Sequence, residues 1–138
     1  MDKPLPRGIR NNNPGNIRHL AGQVWTWKGQ EQTQTDPDFV QFVTAEYGIR
    51  AITRILNSYK SDGLNTIKQA IDRWAPPTEN NTETYIKDVC TNCNLQPGSV
   101  VDYDAIMPAL VKAIILHENG MMPYTDDQIA KGISLAAS

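Results

Sequence analysis

The chain lacks most of what special folds and metal or redox chemistries are built from. It holds two cysteines, Cys90 and Cys93, and two histidines far apart in sequence, too few for a disulfide framework or a four-ligand zinc site. A redox Cys-x-x-Cys needs a thioredoxin-like βαβ setting, and the surrounding pattern offers none. The pair reads as packing thiols at the end of a helix, with a disulfide as the alternative. No apolar run approaches the length of a membrane span, which speaks against membrane insertion. Positive charge is not in excess: 13 Lys and Arg stand against 15 Asp and Glu, a net charge of −2. There is thus no global electrostatic case for nucleic acid or an anionic membrane as partner. The charged, Pro-containing start Met1-Asp-Lys-Pro-Leu-Pro is not a signal peptide. Synthesis in the cytoplasm is therefore expected, with delivery by another route if the protein works elsewhere. There is no internal repeat or low-complexity linker, and no metal or organic cofactor is implied.

What is present is ordinary in bulk: 138 residues, 40% hydrophobic and 20% charged, enough for one domain spanning 1–138 with a real core. Residues 7–45 look irregular, dense in turn formers at Asn11-Asn-Asn-Pro-Gly-Asn16. Val24–Gly29 and Asp38–Val43 can form two short strands, giving at most a small β-hairpin. From about Ala45 the spacing turns helical, with Ile49, Ile52, Leu56 and Tyr59 on one face and Asp62-Gly63 as the stop. Asn65 or Thr66 can cap a short helix that ends at Ala75-Pro-Pro77. Further helices are expected from about Asn81 through Cys90, across Met107–Glu118, and after Pro123-Tyr-Thr-Asp126. Pro108 falls in the first turns of its helix, where a missing N–H costs least. The expected architecture is mainly α, a helical bundle with one small hairpin near the N-terminus.

Within that pattern Glu118 stands in an unusual place. Met107, Leu110, Val111, Ile114 and Ile115 make an apolar helical stripe. Glu118 follows Ile114 by four residues and continues the stripe. Asn119-Gly120 then stops the helix. Desolvation and the negative end of the helix dipole both favour the neutral carboxyl, the form a general acid needs. The competing reading is a solvated glutamate near a helix end.

The Asn block allows two readings as well. Asn12, Asn13 and Asn16 can present donor–acceptor pairs to sugar hydroxyls, or they can cap backbone groups in a turn-rich loop. Trp25 and Trp27 suit a platform for sugar faces, and equally suit a core.

Together these segments resemble phage virion and endolysin-type proteins of the lysozyme-like superfamily, and the peptidoglycan glucosaminidases of glycoside hydrolase family 73. Asn12-Asn-Pro-Gly-Asn-Ile-Arg18 is similar to an Asn-Asn-x-x-Gly-Ile-Lys motif there. Phe39-Val-Gln-Phe42 is similar to a Phe-Arg-x-Tyr strand. Trp74-Ala-Pro-Pro77 through Thr84-Tyr-Ile86 is similar to a Tyr-Ala-Thr-Asp-Pro-x-Tyr motif, with Tyr85 at its helix-borne tyrosine. Those families carry a catalytic glutamate at a helix end before the Asn-rich motif, in a Leu-Glu-Ser/Thr-Gly context. Here Leu116-His-Glu-Asn-Gly120 stands at the far end instead, which implies a circular permutation of a lysozyme-like domain.

The resemblance implies a glycosidase that cleaves the β-1,4 linkage between N-acetylmuramic acid and N-acetylglucosamine, with Glu118 as general acid. A lytic transglycosylase of the same fold, or a non-catalytic glycan-binding or virion module, are the alternatives. Glu46 is the best second carboxylate, ahead of Asp36 and Asp38, although a helix N-terminus favours an acidic residue for its own sake. Tyr85 is placed across the groove, with a core tyrosine as the rival reading. His117 points roughly 100° away from Glu118 around the helix and reads as a supporting or surface residue. Asn12, Asn13, Asn16, Arg18, Trp25 and Tyr124 complete the expected substrate contacts. Arg10 and Arg18 contact acidic or acyl groups of the glycan, or pair with local carboxylates. The implied partners are peptidoglycan glycan strands, with an immunity protein or a phage tail or virion component as further possibilities. Action in the periplasm or cell wall would follow delivery by a holin, a virion or a secretion system.

Overall fold

The computed structural model describes residues 4–138, and six helices carry the described part. They are α1 (Arg7–Arg10), α2 (Ala45–Ser61), α3 (Ile67–Trp74), α4 (Thr82–Cys93), α5 (Tyr103–Asn119) and α6 (Asp126–Leu135). Local chemistry sets their starts. Thr44, Thr66, Asn81, Asp102 and Thr125 each accept a backbone N–H of the first turn. In α3 and α6 the N-cap threonine and a glutamine three residues on bond each other's backbone, closing full capping boxes. At the other end of α5, Gly120 adopts φ 69° and its N–H returns to Leu116 O at 2.8 Å.

The core follows the apolar stripes. Ile49, Ile52 and Leu56 of α2, Ile67 and Ile71 of α3, and Leu110, Ile114 and Ile115 of α5 are fully buried in one cluster, which also takes Ile129 of α6. Pro108 sits on the exposed side of α5, and the carbonyl it cannot bond belongs to Asp104, which is exposed as well. Cys90 and Cys93 are free, buried thiols in the last turns of α4. No helix among the described residues is long and apolar enough to cross a membrane.

The expected hairpin of Val24–Gly29 with Asp38–Val43 does not form. Only isolated bridges occur here, Arg18 with Phe39 and Gln30 with Phe42. Residues 38–43 instead run as an extended strap between two neighbours. Val40 N donates to Ile17 O on one side, and Glu31 N donates to Gln41 O on the other. Glutamine side chains take over where ladder bonds would be. Gln41 Oε1 accepts from the N–H groups of Thr35 and Asp36, and Gln34 Oε1 accepts from Gln41 N. Backbone groups so satisfied need no paired strand.

The N-terminal segment that looked irregular contains the short α1 and then the Asn block, which lies directly on α2. A Cβ on Gly48 would stand 2.1 Å from Asn12 O, so only glycine permits that contact. A second small cluster, Val40, Phe42 and Ala51, joins the strap to α2.

Candidate active site

The last turn of α5 brings Glu118 to the floor of a cleft of about 480 Å³. The carboxylate is half-buried, neither in the core nor free in solvent. Both of its oxygens have a donor. Asn16 Nδ2 donates to Oε1 at 3.0 Å, and the Tyr85 hydroxyl donates to Oε2 at 2.8 Å. Tyr85 comes from α4, is 1% exposed, and is held firmly as a phenol, because burial and then the neighbouring Glu118 charge push its pKa up. Side chains from two distant segments thus converge on one carboxyl group.

The loop that supplies Asn16 is tied down by its other asparagines, chiefly to the 36–42 segment. Asn13 is fully buried, donates to Ile17 O and Val40 O, and accepts from Ile17 N. Asn12 donates to Phe42 O. Asn11 donates to Asp36 and accepts from Gln41. The backbone at Asn16 takes φ 50°, a left-handed turn that asparagine tolerates and that turns its amide toward Glu118. The expectation of substrate contacts for Asn12 and Asn13 is therefore corrected. Their amides are used on backbone, and of the block's asparagines only Asn16 lines the cleft.

Aromatic and charged residues make up much of the rest of the cleft. Trp25 and Trp27 pack edge to face with centroids 5.0 Å apart, and Trp25 keeps 48% of its surface exposed. Trp74, at the end of α3, and Tyr59 also line it. Arg18 is exposed at the rim, its guanidinium 4.9 Å from the Phe39 ring centroid. Glu118, Asn16, Arg18 and Trp25 are among the residues that line the cleft, and Tyr85 reaches Glu118 through its hydroxyl.

Two others are not. Glu46 lies in the first turn of α2, outside the cleft, where it accepts from Gln128 Nε2 of α6 at 3.3 Å. Its pKa is lowered, first by its own backbone N–H, as expected of a carboxylate at a helix start. Tyr124 sits near Glu46 and likewise does not line the cleft; burial and then the Glu46 charge push its hydroxyl up to about 12. Asp36 and Asp38 are also occupied elsewhere, both bonded to Arg7. Arg10 donates to Leu5 O.

The second carboxylate that does line the cleft is Glu79, from the loop joining α3 to α4. Sequence reasoning missed it, along with Trp74 and Tyr59. The available signal was the Trp74-Ala-Pro-Pro77 helix stop, which forces the following residues into a turn beside the Trp. That turn is pinned, with Glu79 N and Asn80 N both donating to Pro76 O.

A larger groove, about 950 Å³, runs along α4 and the 94–99 loop. Its carboxylate, Glu83, belongs to the first turn of α4 and needs no role beyond the helix dipole there. Chemistry is better placed at Glu118, where burial, two donors and aromatic walls coincide. Among the described residues no group of three or more His, Cys, Asp or Glu could hold a metal ion.

Fold and site thus define a mainly helical domain with a carboxylate at the base of an aromatic cleft. No family model matches the chain. It is similar to Protein P5 of Pseudoalteromonas phage PM2, 42% identical over 127 residues, which cover 91% of this chain and 79% of that protein. The chain belongs to the family of that phage protein.

Proposed function

We propose that this protein is a peptidoglycan-cleaving glycosidase of lysozyme-like, circularly permuted architecture, with Glu118 as its general acid. The observation that carries this reading is the Glu118 carboxylate, oriented by Tyr85 and Asn16 at the base of a cleft lined by tryptophans. Sugar rings stack their C–H faces on indoles, and a disaccharide fits a cleft of this size. The resemblance of the Asn block, the Phe39–Phe42 strap and the Tyr85 helix to peptidoglycan glycosidases supports the same reading, as does membership of a phage protein family. A phage protein meets the cell wall as a virion component or during lysis.

In the reaction, the protonated Glu118 gives its proton to the glycosidic oxygen. The C1–O bond breaks, its electron pair leaves with the departing sugar, and the remaining ring gains oxocarbenium character. Glu46, Asp36 and Asp38 lie outside the cleft and Glu79 is the second carboxylate in its lining, so another variant of this chemistry stands beside two-carboxylate hydrolysis. In it the muramic C6 hydroxyl attacks C1, its proton passes to the Glu118 carboxylate, and a 1,6-anhydro product forms. This is the lytic transglycosylase route.

The test is release of fragments from purified peptidoglycan. Wild type should release them, and Glu118→Gln should release none while unfolding at the same temperature as wild type. Mass spectrometry of the fragments separates the routes, because anhydro ends are lighter by one water than hydrolysed ends. If the wild type cleaves peptidoglycan at no pH, the enzyme reading is wrong. Sedimentation with sacculi would then decide whether a glycan-binding virion module takes its place.

A further inference from the structure

We propose that His117 is a positioning residue, closing a two-by-two clasp between α4 and α5 that holds the Tyr85–Glu118 pair. Its consequence for catalysis rests on the reading of Glu118 as the acid; the clasp itself does not. Tyr85 and Asp88 are three residues apart on α4, so they stand on one face, a turn apart. His117 and Glu118 are consecutive on α5 and diverge by roughly 100°. That divergence lets them take the same tyrosine from two sides. Glu118 accepts the hydrogen bond of its hydroxyl at 2.8 Å. His117 lies on its face, ring centroids 3.7 Å apart and planes inclined by 28°.

The fourth member fixes the third. Asp88 Oδ2 lies 3.0 Å from His117 Nδ1. A carboxylate can only accept, so Nδ1 carries the proton and the imidazole plane is set by that bond. Tyr85 is 1% exposed, whereas the His117 side chain keeps 25% of its surface in solvent. The imidazole is thus an outer wall over the tyrosine ring. Shielding from water strengthens the phenol–carboxylate hydrogen bond and keeps the ring in the orientation that makes it. Without the imidazole, water reaches the ring face and the hydroxyl loses its fixed aim.

Two substitutions separate stacking from mere bulk. His117→Phe keeps an aromatic face on Tyr85 and gives up the Asp88 bond, while His117→Ala gives up both. Stacking of this kind corresponds to about a tenfold effect on a rate. The expected result is a fall of about tenfold in kcat for His117→Ala with KM little changed, and recovery of most of it in His117→Phe. Ring-flip exchange of Tyr85, read by NMR on tyrosine-labelled protein, reports the clasp without reference to activity. It should be slow in wild type and in His117→Phe, and fast in His117→Ala. Wild-type kcat in folded His117→Ala overturns the proposal, as does fast ring flipping in wild type. Should His117→Ala not fold, His117→Phe decides: a kcat near wild type with slow flipping supports the clasp, and loss of either overturns it. A Glu118→Gln variant that still cleaves sinks the acid assignment and leaves the ring-flip result standing on its own.

Discussion

Asn119 Nδ2 donates to Pro14 O at 2.8 Å, joining the end of α5 to the Asn block across 105 residues of chain. The same amide donates to Ile115 O within its own helix, so one side chain ties the helix terminus to the loop. Immediately beside it, Asn16 holds Glu118. Gly8 is what lets these segments meet. A Cβ there would stand 2.6 Å from both Asn119 Oδ1 and Asn16 Oδ1, and 2.9 Å from Asn13 O. Those two side-chain oxygens are buried without a hydrogen-bond partner and lie where a Gly8 side chain would have to go.

Gly8→Ala should therefore injure the site and the fold together. An added methyl with no free space costs about 1–3 kcal/mol, and here it also pushes Asn16 away from Glu118. The measurement is a urea unfolding curve alongside the peptidoglycan assay. A variant as stable and as active as wild type would show that the segments part easily and that their contact is not what aims Glu118.

The asparagines of one block should respond differently. Asn13→Ala removes three hydrogen bonds and leaves Val40 O and Ile17 N unpaired, while Ile17 O keeps its bond from Val40 N. A loss of about 2–4 kcal/mol in stability is expected. Asn16→Ala loses one bond, to a half-buried carboxylate, and places alanine at φ 50°, so it should cost about 1 kcal/mol of stability, less than Asn13→Ala. Its main effect falls on rate, on the order of tenfold. Unfolding midpoints and initial rates on the same two proteins check the contrast. Equal losses of stability would mean Asn16 serves the loop and not the carboxylate.

Tyr85→Phe tests the other donor. The ring and its packing stay, and Glu118 Oε2 loses the hydroxyl at 2.8 Å. Hydrogen bonds to charged groups are worth about 1.5–3 kcal/mol, so a fall of roughly 10- to 100-fold in kcat is expected. An unchanged kcat would place Tyr85 in the core alone.

The thiols give a simple check on packing. Burial raises both, Cys93 to about 11, so little thiolate exists near neutrality. Native protein should react slowly with a thiol reagent at neutral pH and fully in denaturant. Fast reaction of the native protein would mean that the end of α4 opens.

What could be read from the chain alone divides along the range of the interactions. The starts of α2, α3, α4 and α6 and the stop at Gly120 were legible because a cap is made by residues three or four positions apart. The stripe Met107–Ile115 was legible because burial follows the helical period, and Glu118 stood out against it. The hairpin failed because Gln34 and Gln41 satisfy the strap through side chains, and no alternation of apolar residues encodes that. The partners of Glu118 lie 33 and 102 residues away in sequence, so only the resemblance to known motifs pointed to them. Glu46 drew attention as a carboxylate at a helix start. That position explains it fully, and the carboxylate that lines the cleft, Glu79, sat unnoticed in a turn.

Acid should loosen the N-terminal segment through Asp36. Its carboxylate accepts from Arg7 Nε at 2.7 Å and from Asn11 Nδ2 at 2.9 Å, and its side chain is only 8% exposed. The Arg7 guanidinium, first, and the Asn11 and backbone donors hold its pKa far below the ordinary 3.8, against the opposing effect of burial. A folded value below the unfolded one means the stabilisation is fully present above 3.8 and is lost as pH falls toward the folded value. Asp36→Asn keeps the shape and removes the charge, so it should be less stable than wild type at neutral pH. The gap should narrow as pH drops below 3.8, because wild type then loses the same interaction. Urea midpoints of the two proteins across that range measure it. A gap that stays constant into strong acid would assign the role of Asp36 to its neutral hydrogen bonds and not to its pairing with Arg7.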